Sequence, residues 1–268
     1  MNRADRIRGV LYGTAMGDAL GLPFEGMTGR SIERRYAKLD CYRMLGSIGI
    51  VSDDTEQTAL VAQSLARHPR DRARFVRAFR FALLGWFLRL PWGIGWATLR
   101  ACVKIALGFT RSGVRSAGNG AAMRAAIVGA FFSDAPEERR AWSDALAEVT
   151  HTDARATEAA RFVAEVAALA MTGNPRESLV KEALEIVHDE QLKRALERAI
   201  ELALSDVDAR TAATEIGTSG FVIHSVPLAT FAFMRFGHDP IEAITAAIRA
   251  GGDTDTNAAI VGAWVGAH

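Results

Sequence analysis

Apolar residues recur at helical spacing along most of this 268-residue chain, whereas the Val, Ile and Thr alternation typical of half-buried strands is scarce. Alanine and leucine, which lose little side-chain entropy in a helix, dominate the apolar positions. In residues 3–20, for example, Ile7, Val10, Leu11 and Ala15 follow this spacing. The pattern predicts an all-α protein, a compact bundle whose helices are joined by short loops.

Gly, Pro and capping residues give the boundaries of the individual helices. The predicted helices are residues 3–20, 31–38, 52–68, 71–84, 95–108, 121–132, 136–149, 153–172, 176–187, 189–204, 207–216, 225–236, 239–250 and 254–266. No linker composition, low-complexity segment or clear repeat divides the chain, so we expect a single domain over residues 1–268.

The composition argues against several classes of protein. Hydrophobic residues make up 49% and charged residues 24% of the chain, as in a globular protein with a sizeable core. The net charge of +1 implies no broad basic surface for nucleic acid, although the Arg-rich residues 67–80 leave a local basic patch open. Cys41 and Cys102 cannot form a disulfide framework, so a cytoplasmic location is expected.

Membrane insertion is not expected either. The residues before Asp18 contain no apolar run of signal-peptide type. Residues 81–109 are the most apolar stretch, but Arg89, Pro91 and Arg100 are among those that interrupt it, and a membrane span needs about 20 nearly uninterrupted apolar residues. We predict two buried helices and a Pro-Gly turn there.

Residues 251–257, Gly-Gly-Asp-Thr-Asp-Thr-Asn, carry five oxygen donors in succession. The Gly pair permits backbone conformations that other residues resist, and a helical pattern follows it. Asp253, Asp255 and Thr256 are therefore expected at a helix N-terminus, where their oxygens suit Mg²⁺, Ca²⁺ or Mn²⁺ rather than zinc. The alternative is ordinary helix capping, which needs only one or two such residues.

A second group of the same chemistry, Ser52-Asp53-Asp54-Thr55, begins the helix predicted at residues 52–68. A Ser N-cap followed by acids in the first turn is also ordinary helix chemistry, so this group alone decides nothing. Together, however, the two groups can supply opposite halves of a two-metal site, since bridging carboxylates hold two metals about 4 Å apart.

Residues 13–25 combine regularly spaced glycines with two acids. Gly13, Gly17 and Gly21 lie four residues apart, a spacing that permits another helix to approach closely. Asp18 falls on the apolar surface of the same helix and needs a partner there. Glu25 follows the helix end in a loop, where it is either a general base or a solvated acid.

Residues 118–124, Gly-Asn-Gly-Ala-Ala-Met-Arg, resemble a glycine loop that opens a helix, a geometry that suits phosphate, but taken alone they are better explained by an ordinary loop-to-helix turn. Neither His151 nor His224 has metal-ligand spacing to another His or Cys, so a hydrogen-bonded core position is the simpler interpretation of each. Trp86, Trp92 and Trp96 are expected in the core or in a pocket wall.

Taken together and in this order, the stretches resemble the ADP-ribosylglycohydrolase family over nearly the whole chain. The residues that carry the resemblance are GTAMGDALGLPFEG (13–26), SDDTEQT (52–58), GIGWAT (93–98), GNGAAMR (118–124), VTHTD (149–153) and GGDTDTNAAIVGA (251–263). The last of these is the most specific.

The resemblance implies an all-α orthogonal helical bundle with two Mg²⁺ or Mn²⁺ ions at the mouth of a cleft. The implied metal ligands are Ser52, Asp53, Asp54, Asp253, Asp255 and Thr256. The residues implied to bind ADP-ribose are Gly118, Asn119, Gly120, Met123 and His151. Ser52 stands where many members have Thr, and it keeps the hydroxyl.

The implied reaction is hydrolysis of the glycosidic bond at ribose C1″ of an ADP-ribosylated side chain, which releases ADP-ribose. The metals are expected to bind the ribose hydroxyls and to orient a water. Glu25, Asp54 and Asp253 are the implied catalytic residues, and nearby carboxylates are expected to stabilise an oxocarbenium-like transition state. We expect a monomer that acts on ADP-ribosylated protein.

Two other functions remain open at the level of sequence. The family includes members recruited as non-enzymatic proteins, so the chain can be an ADP-ribose-binding protein without turnover. It can also hydrolyse a different ADP-ribose conjugate, such as a nucleotide derivative or a modified nucleic-acid base. Among side chains the resemblance favours arginine, and serine stays open.

Overall fold

The computed structural model describes residues 2–91 and 93–268 and confirms the all-α prediction. In these residues the α-helices are α1 (Arg3–Gly21), α2 (Gly29–Arg35), α3 (Asp53–Arg67), α4 (Arg72–Phe87), α5 (Trp96–Ala106), α6 (Ala126–Phe131), α7 (Pro136–Ala147), α8 (Ala154–Ala170), α9 (Arg176–Leu184), α10 (Glu190–Leu204), α11 (Ala209–Ile216), α12 (Val222–Phe236), α13 (Pro240–Ala250) and α14 (Thr254–Ala267). Extended pairing in this part of the chain is confined to isolated bridges, such as Thr28 with Gly251 and Gly118 with Phe221.

Helices α1 and α14 pack against each other along their whole length. A Cβ atom added at Gly13 would lie 2.0 Å from the carbonyl oxygen of Gly262, and one at Gly17 would lie 2.0 Å from that of Ala258. Residue numbers rise along one helix and fall along the other at these contacts, so the helices are antiparallel. The predicted role of the α1 glycines is therefore confirmed, because only glycine fits between these backbones.

The core is centred on α8, α12 and α14. The fully buried indole of Trp264 donates a hydrogen bond to the Val163 carbonyl at 3.0 Å. Phe162 meets it edge-on with ring centroids 6.3 Å apart, and Phe233 packs on it at 5.5 Å. Buried aromatic contacts of this kind are worth about 0.5–1.5 kcal/mol beyond the burial of their surface, and they fix α14 against the middle of the bundle.

Two helices begin three or more residues away from the predicted position. The helix predicted at 121–132 is a 3₁₀ turn at Asn119–Ala121 followed by α6, which begins only at Ala126. The carbonyl of Gly120 accepts a hydrogen bond from the buried Arg124 guanidinium at 2.6 Å, and this side chain holds the turn. The helix predicted from 225 begins at Val222 and continues through Pro227.

Two of the tryptophans considered from sequence differ in burial. Trp86 is buried and donates a hydrogen bond to Glu56 at 2.6 Å, whereas Trp96 is 80% exposed in the wall of a cavity. The prediction for Trp92 lies outside the described residues. A search of the described helices for one long and apolar enough to cross the bilayer finds none.

Candidate active site

The two acidic groups predicted from sequence meet at one cavity of about 600 Å³. Its wall includes ten of the predicted site residues: Glu25, Asp53, Gly118, Asn119, Gly120, Met123, His151, Asp253, Asp255 and Thr256. The other two, Ser52 and Asp54, lie directly behind this wall and are almost fully buried. The structure thus brings together side chains that are some two hundred residues apart in the chain.

The N-terminus of α3 is held in place by Asp18 of α1. The Asp18 carboxylate is completely buried and accepts hydrogen bonds from the Ser52 amide at 2.9 Å, the Thr55 amide at 3.1 Å and the Thr55 hydroxyl at 2.5 Å. Ser52 is the N-cap, as predicted. Asp18 therefore satisfies backbone donors that the first turn of a helix leaves without partners, and it fixes where Asp53 and Asp54 lie.

The N-terminus of α14 is positioned by the glycine pair before it. Gly251 and Gly252 have φ values of 80° and 79°, a region that side chains with a Cβ rarely occupy. This conformation lets the Gly252 amide donate to the Met27 carbonyl and the Gly26 amide donate to the Gly252 carbonyl, both at 2.8 Å. The loop that carries Glu25 is thereby fastened beside Asp253.

The two acidic groups are in direct contact through Asp54. Its Oδ2 atom accepts hydrogen bonds from the hydroxyls of Ser52 at 3.1 Å and Thr256 at 3.2 Å. Within the described residues, the Oδ1 atoms of Asp54 and Asp255 are buried without a hydrogen-bond partner, as is the side-chain amide of Asn257. A buried carboxylate oxygen without a partner loses its hydration and gains nothing in return, so these oxygens are acceptors that a hard cation would satisfy.

Burial, followed by the charge of neighbouring carboxylates, raises the pKa values of several acids in the site. Burial and the neighbouring Asp255 hold the pKa of Asp54 well above its ordinary range. Burial and Asp253 raise the pKa of Asp255 to about 9, and burial and Asp18 raise that of Asp53 to about 8. The pKa of Glu25 is also raised, first by partial burial of its carboxyl and then by Asp253 and Asp18. Positive charge in this cavity would therefore be strongly favoured.

The loop at residues 118–120 is attached to the acidic group at the start of α14 and to a third loop. The Asn119 side-chain amide donates to Asp253 Oδ2 at 2.6 Å, and its backbone amide donates to the Gly220 carbonyl at 2.9 Å. This backbone amide is thus already occupied, and the residues after it form a 3₁₀ turn. The glycine loop opening an α-helix, considered from sequence as a phosphate cradle, is therefore not formed.

A buried chain of hydrogen bonds fixes the ring of His151. The Arg124 guanidinium donates to Gln57 Oε1 at 2.7 Å and to the Thr150 hydroxyl oxygen at 2.6 Å, and that hydroxyl lies 2.8 Å from His151 Nδ1. Arginine can only donate, so it leaves the Thr150 hydroxyl proton free, and in one of the two neutral tautomers His151 Nδ1 accepts that proton. The ring proton is then on Nε2, on the side of Gly118, where it can serve as a donor in the cavity.

The same surroundings keep His151 uncharged. Burial first, and the positive charge of Arg124 second, lower the pKa of His151 to about 3. Arg124 itself is fully buried, and this burial lowers its pKa to about 10, so it stays charged at neutral pH. The core position proposed for His151 from sequence is correct, and the residue also lines the cavity.

Comparison with known proteins decides the family. The ADP-ribosylglycohydrolase family profile matches residues 1–268. This chain belongs to the ADP-ribosylglycohydrolase family. A protein of Archaeoglobus fulgidus is 32% identical over 98% of this chain and 87% of its own length. The ADP-ribosylhydrolase ARH3 of Gallus gallus is 27% identical over 98% of this chain and 85% of its own length.

A solved structure described as an ADP-ribosylglycohydrolase-related protein complex has a similar fold. It superposes with a TM-score of 0.76, shares 28% sequence identity, and covers 99% of this chain and 87% of that one. The resemblance stated from the sequence motifs is therefore confirmed, and membership of the ADP-ribosylglycohydrolase family supports an ADP-ribose hydrolase activity.

The donor set of this family member fits a hard divalent cation. Among the described residues, no three His, Cys, Asp or Glu side chains already surround one point at metal-ligand spacing. However, the set also contains the hydroxyls of Ser52 and Thr256, and both are now turned towards Asp54. Carboxylate and hydroxyl oxygens, two of them buried without partners, are the ligands that Mg²⁺ and Mn²⁺ prefer.

Several cavity residues were not predicted. They are Gly26, Gly93, Gly95, Ala97, Thr98, Ser116, Thr218, Ser219, Gly220 and Gly252. Most are small residues in loops, where a Gly- or Ser-rich composition is ordinary. The stretches that carry the family resemblance contain six of them, but no role was assigned to these six: Gly26, Gly93, Gly95, Ala97, Thr98 and Gly252. At Gly220 the reason is steric, because an added Cβ would lie 2.9 Å from Asp253 Oδ2. His224, which was assigned no site role, bonds Ser219 at 2.8 Å.

Proposed function

We propose that this chain is a metal-dependent hydrolase that removes ADP-ribose from a modified protein side chain by cleaving the glycosidic bond at ribose C1″. One observation carries the proposal: the N-termini of α3 and α14 lie at the same cavity. The crowded carboxylates there include oxygens without hydrogen-bond partners, which a cation would satisfy. Family membership supports the ADP-ribose part of the substrate.

Two Mg²⁺ or Mn²⁺ ions are proposed to bind between the helix N-termini. Their ligands would be Ser52, Asp53, Asp54, Asp253, Asp255 and Thr256. When bound, such ions supply Lewis-acid polarisation of sugar hydroxyls and of a water. Asp18 and Gln57 position the ligands from behind, Asp18 through the α3 backbone and Gln57 through a hydrogen bond of 2.9 Å to Asp53.

Glu25 is proposed to exchange the protons of the reaction. It lines the cavity beside Asp253, and partial burial of its carboxyl, followed by the charges of Asp253 and Asp18, raises its pKa and so favours holding a proton that the reaction can use. Asp54 and Asp253 are the other proposed catalytic carboxylates. Their negative charge would stabilise the positive charge that develops on the ribose as the glycosidic bond breaks.

The ADP-ribose is proposed to lie along Gly118, Asn119, Gly120, Met123 and His151. His151 would donate from Nε2 to an oxygen of the ligand, since its Nδ1 is occupied by Thr150. Asn119 would hold Asp253 in place through the bond of 2.6 Å while its loop contacts the ligand. We propose arginine as the modified side chain and a monomer as the working form.

The test is release of ADP-ribose from two peptides, one ADP-ribosylated on arginine and one on serine, with Mg²⁺ or Mn²⁺ and with EDTA as the control. Metal-dependent release from one peptide is expected. Asp253→Ala and Asp255→Ala should abolish release and weaken metal binding, whereas Asp134→Ala, at a side chain that is 83% exposed, should leave both unchanged. Full activity in Asp253→Ala or Asp255→Ala would refute the assignment.

Binding of ADP-ribose without release from either peptide would instead support the non-enzymatic alternative or a substrate that is not a protein.

A further inference from the structure

A long part of the chain beside the site contains no acid. Residues 72–133 carry ten Arg and Lys and not one Asp or Glu, although the protein as a whole has a net charge of only +1. The run begins directly after Asp71 and ends directly before Asp134. It includes α4, α5 and the loop that leads to Asn119, so the charge of the chain is distributed unevenly around the cavity.

Part of this basic run forms a groove next to the cavity. The groove has a volume of about 520 Å³ and runs between α5 and the segment at residues 113–115. Three cationic side chains line it, Arg100, Lys104 and Arg115, together with the apolar Leu99, Val103 and Val114. We call this surface the basic groove.

The basic groove adjoins the candidate active site. Thr98 and Ser116 line the cavity of the site, and the residues next to them in the chain, Leu99 and Arg115, line the groove. Trp96, which is 80% exposed, lies in the cavity wall on the same helix as Arg100. A chain that leaves the cavity past Trp96 would therefore enter the groove.

The charges of the groove are available to a ligand. In the part of the chain that the structure describes, neither Arg100 nor Arg115 forms an ion pair, and Lys104 donates one hydrogen bond, to the Gly113 carbonyl at 3.1 Å. The positive charge of Arg115 helps to lower the pKa of Asp153, but the Asp153 carboxylate forms its ion pair with Arg155, whose Nε lies 2.9 Å from Oδ1. An anion in the groove would meet three cations and little competition.

We propose that the basic groove binds an acidic, extended segment of the polypeptide that carries the ADP-ribose. This inference rests on the proposed function and adds the class of protein substrate to it. Arg100 and Lys104 are one turn apart on α5, about 6 Å along its axis. Alternate side chains of an extended peptide are about 6.6 Å apart and point the same way, so acids at every second position match this spacing.

A nucleic acid is the weaker candidate for the groove. Affinity for a phosphate backbone grows with the number of phosphates neutralised, and tight binders commonly contact six or more. The groove offers three cations over an apolar floor. Leu99, Val103 and Val114 suit the side chains that alternate with acids in a peptide better than they suit a continuous phosphate backbone.

Binding is tested with labelled peptides that carry no ADP-ribose, so that the result does not depend on hydrolysis. One peptide has Glu at alternate positions, the second has Gln in their place, and a single-stranded oligonucleotide of similar length is the third probe. Fluorescence anisotropy at low ionic strength is expected to show the Glu peptide binding about tenfold more tightly than the Gln peptide. Added salt should reduce the difference.

The groove variant is Arg100→Glu/Arg115→Glu, and the matched control is Arg67→Glu/Arg194→Glu, which changes the net charge equally at exposed side chains of α3 and α10. Lys104 is left in place because it bonds the Gly113 carbonyl. The groove variant should lose the preference for Glu, and the control should keep it. If the groove variant is not folded by circular dichroism, Arg100→Gln/Arg115→Gln takes its place.

The outcomes separate this inference from the proposed function. Equal binding of both peptides, or an unchanged preference in the groove variant, would overturn the inference. Tighter binding of the oligonucleotide that is lost in the groove variant would overturn it in favour of nucleic acid. The ADP-ribosylated forms of the peptides are then assayed for release of ADP-ribose. If no ADP-ribose is released but the Glu peptide is still preferred, the hydrolase proposal fails and the proposed peptide binding in the basic groove is retained.

Discussion

Asp18 is buried outside the cavity lining and is hydrogen-bonded to the N-terminus of α3. Its carboxylate accepts the Ser52 and Thr55 amides, which no other group in the described part of the chain satisfies. Burial raises the pKa of Asp18, and the hydrogen bonds from Thr55 and Ser52 oppose this shift. The residue thus links α1 to the residues proposed to hold metal.

Asp18→Ala is expected to lower the free energy of unfolding by about 3 kcal/mol, because at least two buried N–H groups lose their acceptor at about 1–3 kcal/mol each. Urea unfolding followed by circular dichroism measures the change. Asp134→Ala, at an exposed carboxylate, should stay within about 0.5 kcal/mol of the wild type. An equally small effect of Asp18→Ala would show that water replaces the carboxylate.

The proposed tautomer and low pKa of His151 predict its behaviour in NMR titrations. Since its pKa is lowered to about 3, the ring signals of His151 should not shift between pH 5 and 8. His151→Gln identifies the signals by their loss. A midpoint near the ordinary value of about 6.5 would contradict the buried network through Thr150.

The lowered pKa of His151 also makes the stability of the protein depend on pH. The unfolded chain protonates this histidine below about pH 6.5, whereas the folded protein does not. The His151 contribution to stability is thus fully present above that pH and is lost as the pH falls, by up to about 1.4 kcal/mol per pH unit. Urea unfolding of the wild type and of His151→Gln between pH 4 and 7 should show a shallower acid loss in the variant.

At the scale of the elements, the α1–α14 contact decides whether the site forms. Gly9, Gly13 and Gly17 each place an added Cβ 2.0 Å from a carbonyl oxygen of α14. Helix α14 carries Asp255, and helix α1 carries Asp18, whose carboxylate holds the start of α3. A change in this contact therefore reaches the site through both helices.

Gly17→Ala is expected to destabilise the protein by about 3 kcal/mol or more, since the new methyl group would overlap the Ala258 carbonyl. Gly85→Ala is the matched control, because Gly85 is inside α4 and its added Cβ has nothing within 4 Å. This control should stabilise the protein by about 0.5–1 kcal/mol. Thermal unfolding of both variants makes the comparison, and a Gly17→Ala protein of wild-type stability would refute the close contact.

Helix boundaries set by local chemistry were predictable, and those set by distant side chains were not. Ser52, Asp153 and Asp239 are N-caps whose side chains accept from the first turn, and the sequence alone places helices there. The start of α6 at Ala126 instead follows a turn that the buried Arg124 holds through Gly120. No local pattern shows that an arginine will be buried.

The candidate site divides in the same way. Asp253, Asp255 and Asp53 could be proposed from sequence because two groups of acids and hydroxyls of the same chemistry occur in one chain, although the group at Asp53 alone is ordinary helix chemistry. The partners of Arg124, namely Gln57 and Thr150, could not be found, because they are 67 and 26 residues away in the chain and each is an ordinary helix or loop residue. Their roles depend on packing, which the sequence does not display.

At the scale of the whole molecule, the proposed metals would add bonds between the N-termini of α3 and α14, where carboxyl groups are crowded. At a Mg²⁺ concentration of about 100 times the Kd, binding should add about 2.7 kcal/mol to the free energy of unfolding. For a protein of this size the midpoint of thermal unfolding should rise by roughly 5–10 °C. EDTA should remove the increase.

Asp255→Asn, which keeps the shape of the side chain, should lose most of this Mg²⁺-dependent rise, and without metal it should be at least as stable as the wild type because a neutral amide avoids the cost of burying a carboxyl whose pKa is raised to about 9. Asp134→Asn is the control that should keep the full rise. An equal rise in Asp255→Asn would place the metal elsewhere.

The contact of α1 with α14 also sets the order of events while the protein is made. The Thr254 hydroxyl donates to the Gly21 carbonyl across 233 residues of sequence. Ribosomes add roughly 5–20 residues per second, so α1 waits roughly 12–47 s for its partner. During that time the glycine-lined face of α1 is not covered by α14, so this close contact between helices forms only after nearly the whole chain has been made.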